Sequence, residues 1–210
     1  MKSERTILIT GFDPFGGESV NPSWEAVRQL PDSIFGMRVI KLMIPTVAYK
    51  SIDILTKAIE EYGAELAVSV GQAGDRASIC LESVAYNEND FKIPDNEGNL
   101  LRGIPVIPGS QDSYPSTLDL EAMGKVLLHS DIPCKISEDA GRFVCNHLFY
   151  GVCDYIKRNN LSTRYGFIHV PYLPEQAEKK GKAESMSLSL ITRALSLMLE
   201  AYVLSENSLL

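Results

Sequence analysis

Histidine is scarce in this chain. It occurs only as His129, His147 and His169, and no pair has the i, i+4 spacing that presents two imidazoles on one helical turn. The acidic stretch "PDNEG" lacks the alternating ligands of a calcium loop. Neither a resident metal nor another cofactor is therefore expected. Four cysteines (Cys80, Cys134, Cys145 and Cys153) are scattered without a Cys-x-x-Cys pair, which argues against a disulfide framework or zinc ribbon and for free thiols. Positive charge is not in excess: 20 Lys and Arg against 27 Asp and Glu leave a net charge of -7. Nucleic acid and an anionic membrane surface are thus not expected partners. No apolar run approaches the length that spans a bilayer, and the run in "MKSERTILIT" is too short for a secretory signal. A cytoplasmic location is expected.

Short apolar runs alternate with amphipathic ones along the whole chain. "RTILIT" (5–10), "MRVIKLMI" (37–44), "ELAVSV" (65–70), "PCKIS" (133–137) and "YGFIHV" (165–170) read as strands. "ASICLESVAYN" (77–87) reads as a strand or hairpin arm. Helices are expected over 23–30, with Asn21 as N-cap and Pro22 at the first helical position, and over 49–63, 120–130, 142–160 and 184–204. Strands alternating with helices predict one α/β domain over residues 1–210: a central, twisted, mostly parallel sheet with helices on both faces, in three layers. Residues 205–210 are expected to fray. The last helix is apolar on more than one stripe, which fits either burial on both sides or a subunit interface.

The stretch "DAGRFVCNHLFYG" puts Cys145 two residues from His147. On a helix, positions i and i+2 point roughly 200° apart, so these two are not partners and His147 reads as a structural or interface histidine. His129 closes a predicted helix, where the negative end of the dipole accounts for it. His169 lies near the carboxyl end of a predicted strand, where catalytic groups collect in open α/β sheets; a core histidine is the competing account. Cys145 falls in the first turn of its helix, where unpaired amides and the dipole are expected to lower a thiol pKa and could hold an oxyanion. The other cysteines read as small buried hydrophobes. A thiol–imidazole couple needs a third group to orient the ring. Glu82, interrupting "ICLESVAYN", is either solvent-facing by alternation or turned into a site, and spacing leaves both open. The glycine-containing loop after the first strand has neither Gly-x-Gly-x-x-Gly nor Gly-Lys-Ser/Thr, so a nucleotide-binding module has little support.

"TGFDPFGGESVNPSWEAV", "VGQAGDR" followed by "LESVAYN", "IPDNEG", "SEDAGRFVCNHLFYG" and "GFIHVPYLPEQ" occur in an order that resembles the pyroglutamyl peptidase I (pyrrolidone-carboxylate peptidase) family, from about residue 5 to about 200. The resemblance implies a cytosolic cysteine peptidase that removes N-terminal pyroglutamate from peptides, built on a twisted α/β sheet, free of metal and assembled as a homotetramer. It aligns Cys145 with the nucleophile, His169 with the base and Glu82 with the orienting acid. It places Phe12, Phe15 and Gln72 around the lactam ring, with Asn21, Thr46, Phe143 and Val144 nearby, and Lys92 and Ile93 at the head of "KIPDNEG" in the same substrate-binding set. A pocket matched to lactam N–H and C=O should reject proline, which lacks the carbonyl. Three positions depart from the family pattern: Lys92, where arginine is frequent; Tyr86, for an aliphatic residue; and Asp139, for a small one. The same catalytic couple acting on another small amide is the alternative activity.

Overall fold

The computed structural model describes residues 5–74 and 76–207. In its first part the chain forms β1 (Thr6–Phe12), α1 (Pro22–Val27), β2 (Ser33–Ile34), β3 (Met37–Ile44), α2 (Lys50–Tyr62), β4 (Leu66–Gln72), β5 (Ile79–Glu82), β6 (Val84–Tyr86) and β7 (Asn89–Asp90). It continues through β8 (Arg102–Ile104), β9 (Ser113–Pro115), α3 (Leu120–His129), β10 (Cys134–Ser137), α4 (Val144–Arg158), β11 (Arg164–Val170), α5 (Pro174–Lys179) and α6 (Leu188–Asn207). Seven strands share one sheet in the order β10-β5-β11-β4-β1-β3-β2. Its pairings are parallel except β11 with β5 and β3 with β2, so the expected mostly parallel α/β sheet is what forms.

The strand period of two builds the layers. Along β1, Ile7 and Ile9 face one side and join the core made with α1, α3 and α6; Leu8 and Phe12 face the other and join α2 and α4. Every residue of β1 is buried, which is why it reads as an unbroken apolar run. Asn21 does cap α1, its side chain accepting from the Ser23 amide, with Pro22 at the first helical position. Gly11 lets α1 cross β1 closely: a Cβ there would sit 2.5 Å from the Trp24 Cα.

Several boundaries differ from expectation. The 77–87 run splits into β5 and β6, and β6 pairs with β9 across the long polar loop. Helix α5 was not expected. The tail expected to fray from residue 205 is helical as far as Asn207, and residues 208–210 lie outside the described residues. Helix α6 is also long and apolar enough, over Leu188–Ser205, to cross a membrane, contrary to the expectation that no run reaches that length. Its Ile191, Leu195, Met198, Leu199 and Val203 are instead buried in the sheet-facing core, while Leu190 and Leu197 on the other side are half-buried.

His147 is a structural histidine, as its helical phase requires. The Tyr49 amide donates to its Nε2 (2.8 Å), so Nδ1 carries the proton and donates to Asn89 Oδ1 (2.9 Å). The ring thereby ties α4 to the start of α2 and to β7 in its neutral form. Burial pulls its pKa down to about 4, against a smaller opposing pull from Asp95. A base with a depressed folded-state pKa stabilises the fold above its unfolded value near 6.5 and loses that contribution as pH falls toward 4. The loss reaches about 2 kcal/mol by pH 5. Denaturant midpoints taken between pH 7 and 5 should therefore fall more steeply for the native chain than for His147→Gln; parallel curves would remove this account.

Candidate active site

The parallel strands β1, β4 and β11 bring their carboxyl ends to one edge of the sheet. The chain leaves β1 for β3 on one side and returns through α2 to β4 on the other, a switch point at which open α/β sheets form their crevice. Phe12, Gln72 and His169 all lie at that edge, with Gly71 opposite His169 in register.

The antiparallel pairing of β5 with β11 sets Phe167 opposite Glu82 and His169 opposite Cys80. Glu82 and His169 are therefore diagonal neighbours on one face, within reach of long side chains. Their side chains meet: His169 Nδ1 lies 2.7 Å from Glu82 Oε1, with both groups buried. Because a carboxylate only accepts, Nδ1 carries the proton and Nε2 is left with its lone pair. Arg76 Nη1 donates to the same Glu82 oxygen at 2.7 Å, and Arg76 Nη2 donates to the Asp139 carbonyl at 3.1 Å. The second carboxylate oxygen, Oε2, is buried with no hydrogen-bond partner among the described residues.

Cys145 is the second residue of α4, after an extended Phe143 at the N-cap. A Cβ added to Gly71 would lie 3.0 Å from its sulfur and 2.9 Å from the Phe167 ring, so the thiol rests directly over the strand position beside His169. Among the described residues no hydrogen bond joins Cys145 to His169. The helix start was expected to lower the thiol pKa; instead burial pushes it up to about 12, with Glu82 adding to the rise and Arg76 and the Cys145 amide opposing it. Low dielectric outweighs the amides here because it penalises the thiolate outright.

A family model for pyroglutamyl peptidase matches residues 5–205. The chain belongs to the pyroglutamyl peptidase family. Pyrrolidone-carboxylate peptidase of Clostridium perfringens is 45% identical over 203 residues, 97% of this chain and 95% of that protein. The enzyme of the same name from Bacillus cytotoxicus is 45% identical over 206 residues, covering 98% and 96%. Among solved structures, pyroglutamyl peptidase I from Bacillus amyloliquefaciens superposes with a TM-score of 0.91 at 44% identity, over 95% of this chain and 96% of that one. A mutant pyrrolidone carboxyl peptidase from Pyrococcus furiosus gives 0.90 at 35% identity, over 95% and 99%.

The other residues that the pyroglutamyl peptidase resemblance singled out fall into two groups. Phe12 packs 6.2 Å from Phe167, whose ring is 4.9 Å from His169. Phe15 packs 5.9 Å from Phe143, and Phe143 lies 4.7 Å from Phe91, so the first loop leans on the residue that caps the Cys145 helix. Val144 is fully buried beneath, and Ile93 is exposed beside Gly16. The polar members are committed elsewhere. Asn21 Nδ2 donates to the Asp13 carbonyl while its oxygen caps α1, and the Thr46 amide donates to Asp13 Oδ1. Both hold the Phe12–Phe15 loop. Gln72 Oε1 accepts from Gln176 on α5 at 3.0 Å. Lys92 is exposed and ion-paired with Asp90 at 2.6 Å, which is no substitute for a guanidinium reaching inward.

Tyr86 and Asp139 act together. Asp139 accepts from Arg142 Nη1 at 2.8 Å, and the same guanidinium stacks 4.4 Å above the Tyr86 ring. They pin the segment that feeds α4. Nothing in the sequence singles out Gly71, Arg76 or Phe167, because "GQAGDR" and "GFIHV" carry no mark of which face each side chain takes. Gly71→Ala should lower kcat/KM by about 100-fold, because a shift of the sulfur near 1 Å is enough to spoil attack geometry. Its stability cost should be about 1–3 kcal/mol. Steady-state kinetics beside a thermal melt checks both, and native-like turnover would show that the sulfur does not depend on this strand.

Proposed function

We propose that this chain is a cysteine peptidase that removes N-terminal pyroglutamate from peptides, with Cys145 as nucleophile, His169 as base and Glu82 as the acid that orients the ring. The observation that carries the reading is the buried Glu82–His169 hydrogen bond at the sheet edge over which the Cys145 thiol rests, in a chain of the pyroglutamyl peptidase family.

Nε2 of His169 accepts the Cys145 proton as the sulfur attacks the pyroglutamyl carbonyl carbon. The oxyanion forms at the start of α4, whose first-turn amides have no intrahelical acceptor. The imidazolium, held through Nδ1 by Glu82, returns the proton to the departing amine, leaving a thioester. Water then attacks with His169 again as base, releasing 5-oxoproline and the free thiol. The apolar wall of Phe12, Phe15, Phe143 and Ile93 suits the flat faces of an uncharged lactam ring. Gln72, whose Oε1 is held by Gln176, is left its amide N–H as the polar group expected to meet the ring carbonyl. The four free thiols fit a reducing, cytoplasmic compartment. Self-association as a homotetramer would cover exposed apolar residues such as Phe35, Met43 and Tyr49.

Release of the chromophore from a pyroglutamyl p-nitroanilide should be lost in Cys145→Ala by at least about 10,000-fold, with the circular dichroism spectrum kept. The prolyl and glutamyl anilides should turn over at least about 100-fold less well, since each leaves polar groups of the pocket unmatched. Retained turnover in Cys145→Ala would end the peptidase mechanism. Equal turnover of all three anilides would instead favour a less selective amide hydrolase.

A further inference from the structure

Arg76 is the one cation paired with Glu82 among the described residues. Its guanidinium is largely covered, with 23% of the side chain exposed, and Glu82 is wholly buried. One Glu82 oxygen serves both Arg76 and His169, while the other has no partner. A buried carboxylate so thinly solvated needs a compensating charge beside it. The second arm of Arg76 reaches the Asp139 carbonyl, four residues before the extended Phe143 that opens α4. The same Asp139 uses its carboxylate to hold the Gly141 amide and Arg142. Arg76 thus spans two chain segments: the end of β5, which carries Glu82, and the turn that delivers Cys145.

We propose that Arg76 is a positioning residue of the reaction, fixing through its two-armed grip both the carboxylate that orients His169 and the turn that sets Cys145. This deepens the peptidase reading and rests on it. Arg76 touches neither the sulfur nor the imidazole through any hydrogen bond among the described residues, so its effect passes through Glu82 and Asp139.

Among the described residues, the groups that face the Glu82–His169 pair are few. Cys145 approaches from α4, and Cys80 and Arg76 belong to β5 and the turn before it. Tyr165 lies further down the same face of β11, and β4 offers only Gly71 and Ser69 there, neither charged. Lys135 of β10 is opposite Cys80 in register and exposed. The Asp139 carboxylate is turned to Arg142. With Arg76 neutralised, the pair would hold a buried net negative charge and would take up a proton more readily, whichever of its two members received it.

Arg76→Gln and Arg76→Lys, assayed on the pyroglutamyl anilide, decide the matter. Arg76→Gln should lower kcat at least about tenfold with KM within about twofold, and its acidic limb of kcat/KM should move to higher pH. Arg76→Lys keeps the charge but not the two-armed reach, so its limb should stay in place while kcat still falls. The His169 imidazole signal, titrated by NMR in the same proteins, should move in the same direction for Arg76→Gln alone. An unmoved limb and an unmoved titration in Arg76→Gln, with kcat native or lost only in proportion to stability, would overturn the proposal. Should Arg76→Gln not fold, native kcat in Arg76→Lys would overturn it. A native enzyme that leaves the anilide intact would sink the peptidase reading, and the NMR titration alone would then decide whether Arg76 sets the pair.

Discussion

The hydrogen bond between His169 Nδ1 and Glu82 Oε1 is the constraint from which the rest of the site follows. It exists because β5 runs against β11 in a sheet whose strands otherwise mostly run parallel, which puts the two side chains diagonally on one face. It fixes the imidazole tautomer, and with it the free lone pair on Nε2. Everything reactive is then a matter of what is set beside that nitrogen. Helix α4 sets a thiol over Gly71, the strand residue opposite His169, and only a residue without a side chain leaves room for it.

Burial governs the electrostatics of this arrangement more than the helix start does. The amide at the head of α4 favours a thiolate, yet burial and, after it, the Glu82 charge push the Cys145 thiol above its ordinary range. The thiol over Gly71 and the imidazole held by Glu82 thus lie at the same end of the sheet as the first-turn amides of α4.

The second layer of contacts shows why the reactive groups stay where they are. Asp139 accepts from Arg76 at its carbonyl and from Gly141 and Arg142 at its carboxylate, and it also bonds Ser137. Arg142 in turn stacks on Tyr86 and pairs with Glu88. Tyr86 and Asp139 therefore both anchor the turn before α4 through Arg142. Lys92 pairs with Asp90 at the surface. Asn21 and Thr46 spend hydrogen bonds on Asp13, so the first loop is held by polar groups while its Phe15 packs on Phe143.

The alternation of apolar and amphipathic runs determined the layered α/β class, because periods of two and 3.6 bury faces in only a few ways. Helical phase separated Cys145 from His147, and strand position singled out His169. The family pattern then singled out Glu82, whose facing the alternation left open. The direction of β5 was beyond the sequence, since strand polarity is fixed by which edge it joins and not by its own residues. So were the roles of Gly71 and Phe167, the double grip of Arg76, and the upward push on the thiol. Each depends on which atoms from distant parts of the chain exclude water together, and local pattern carries no record of that.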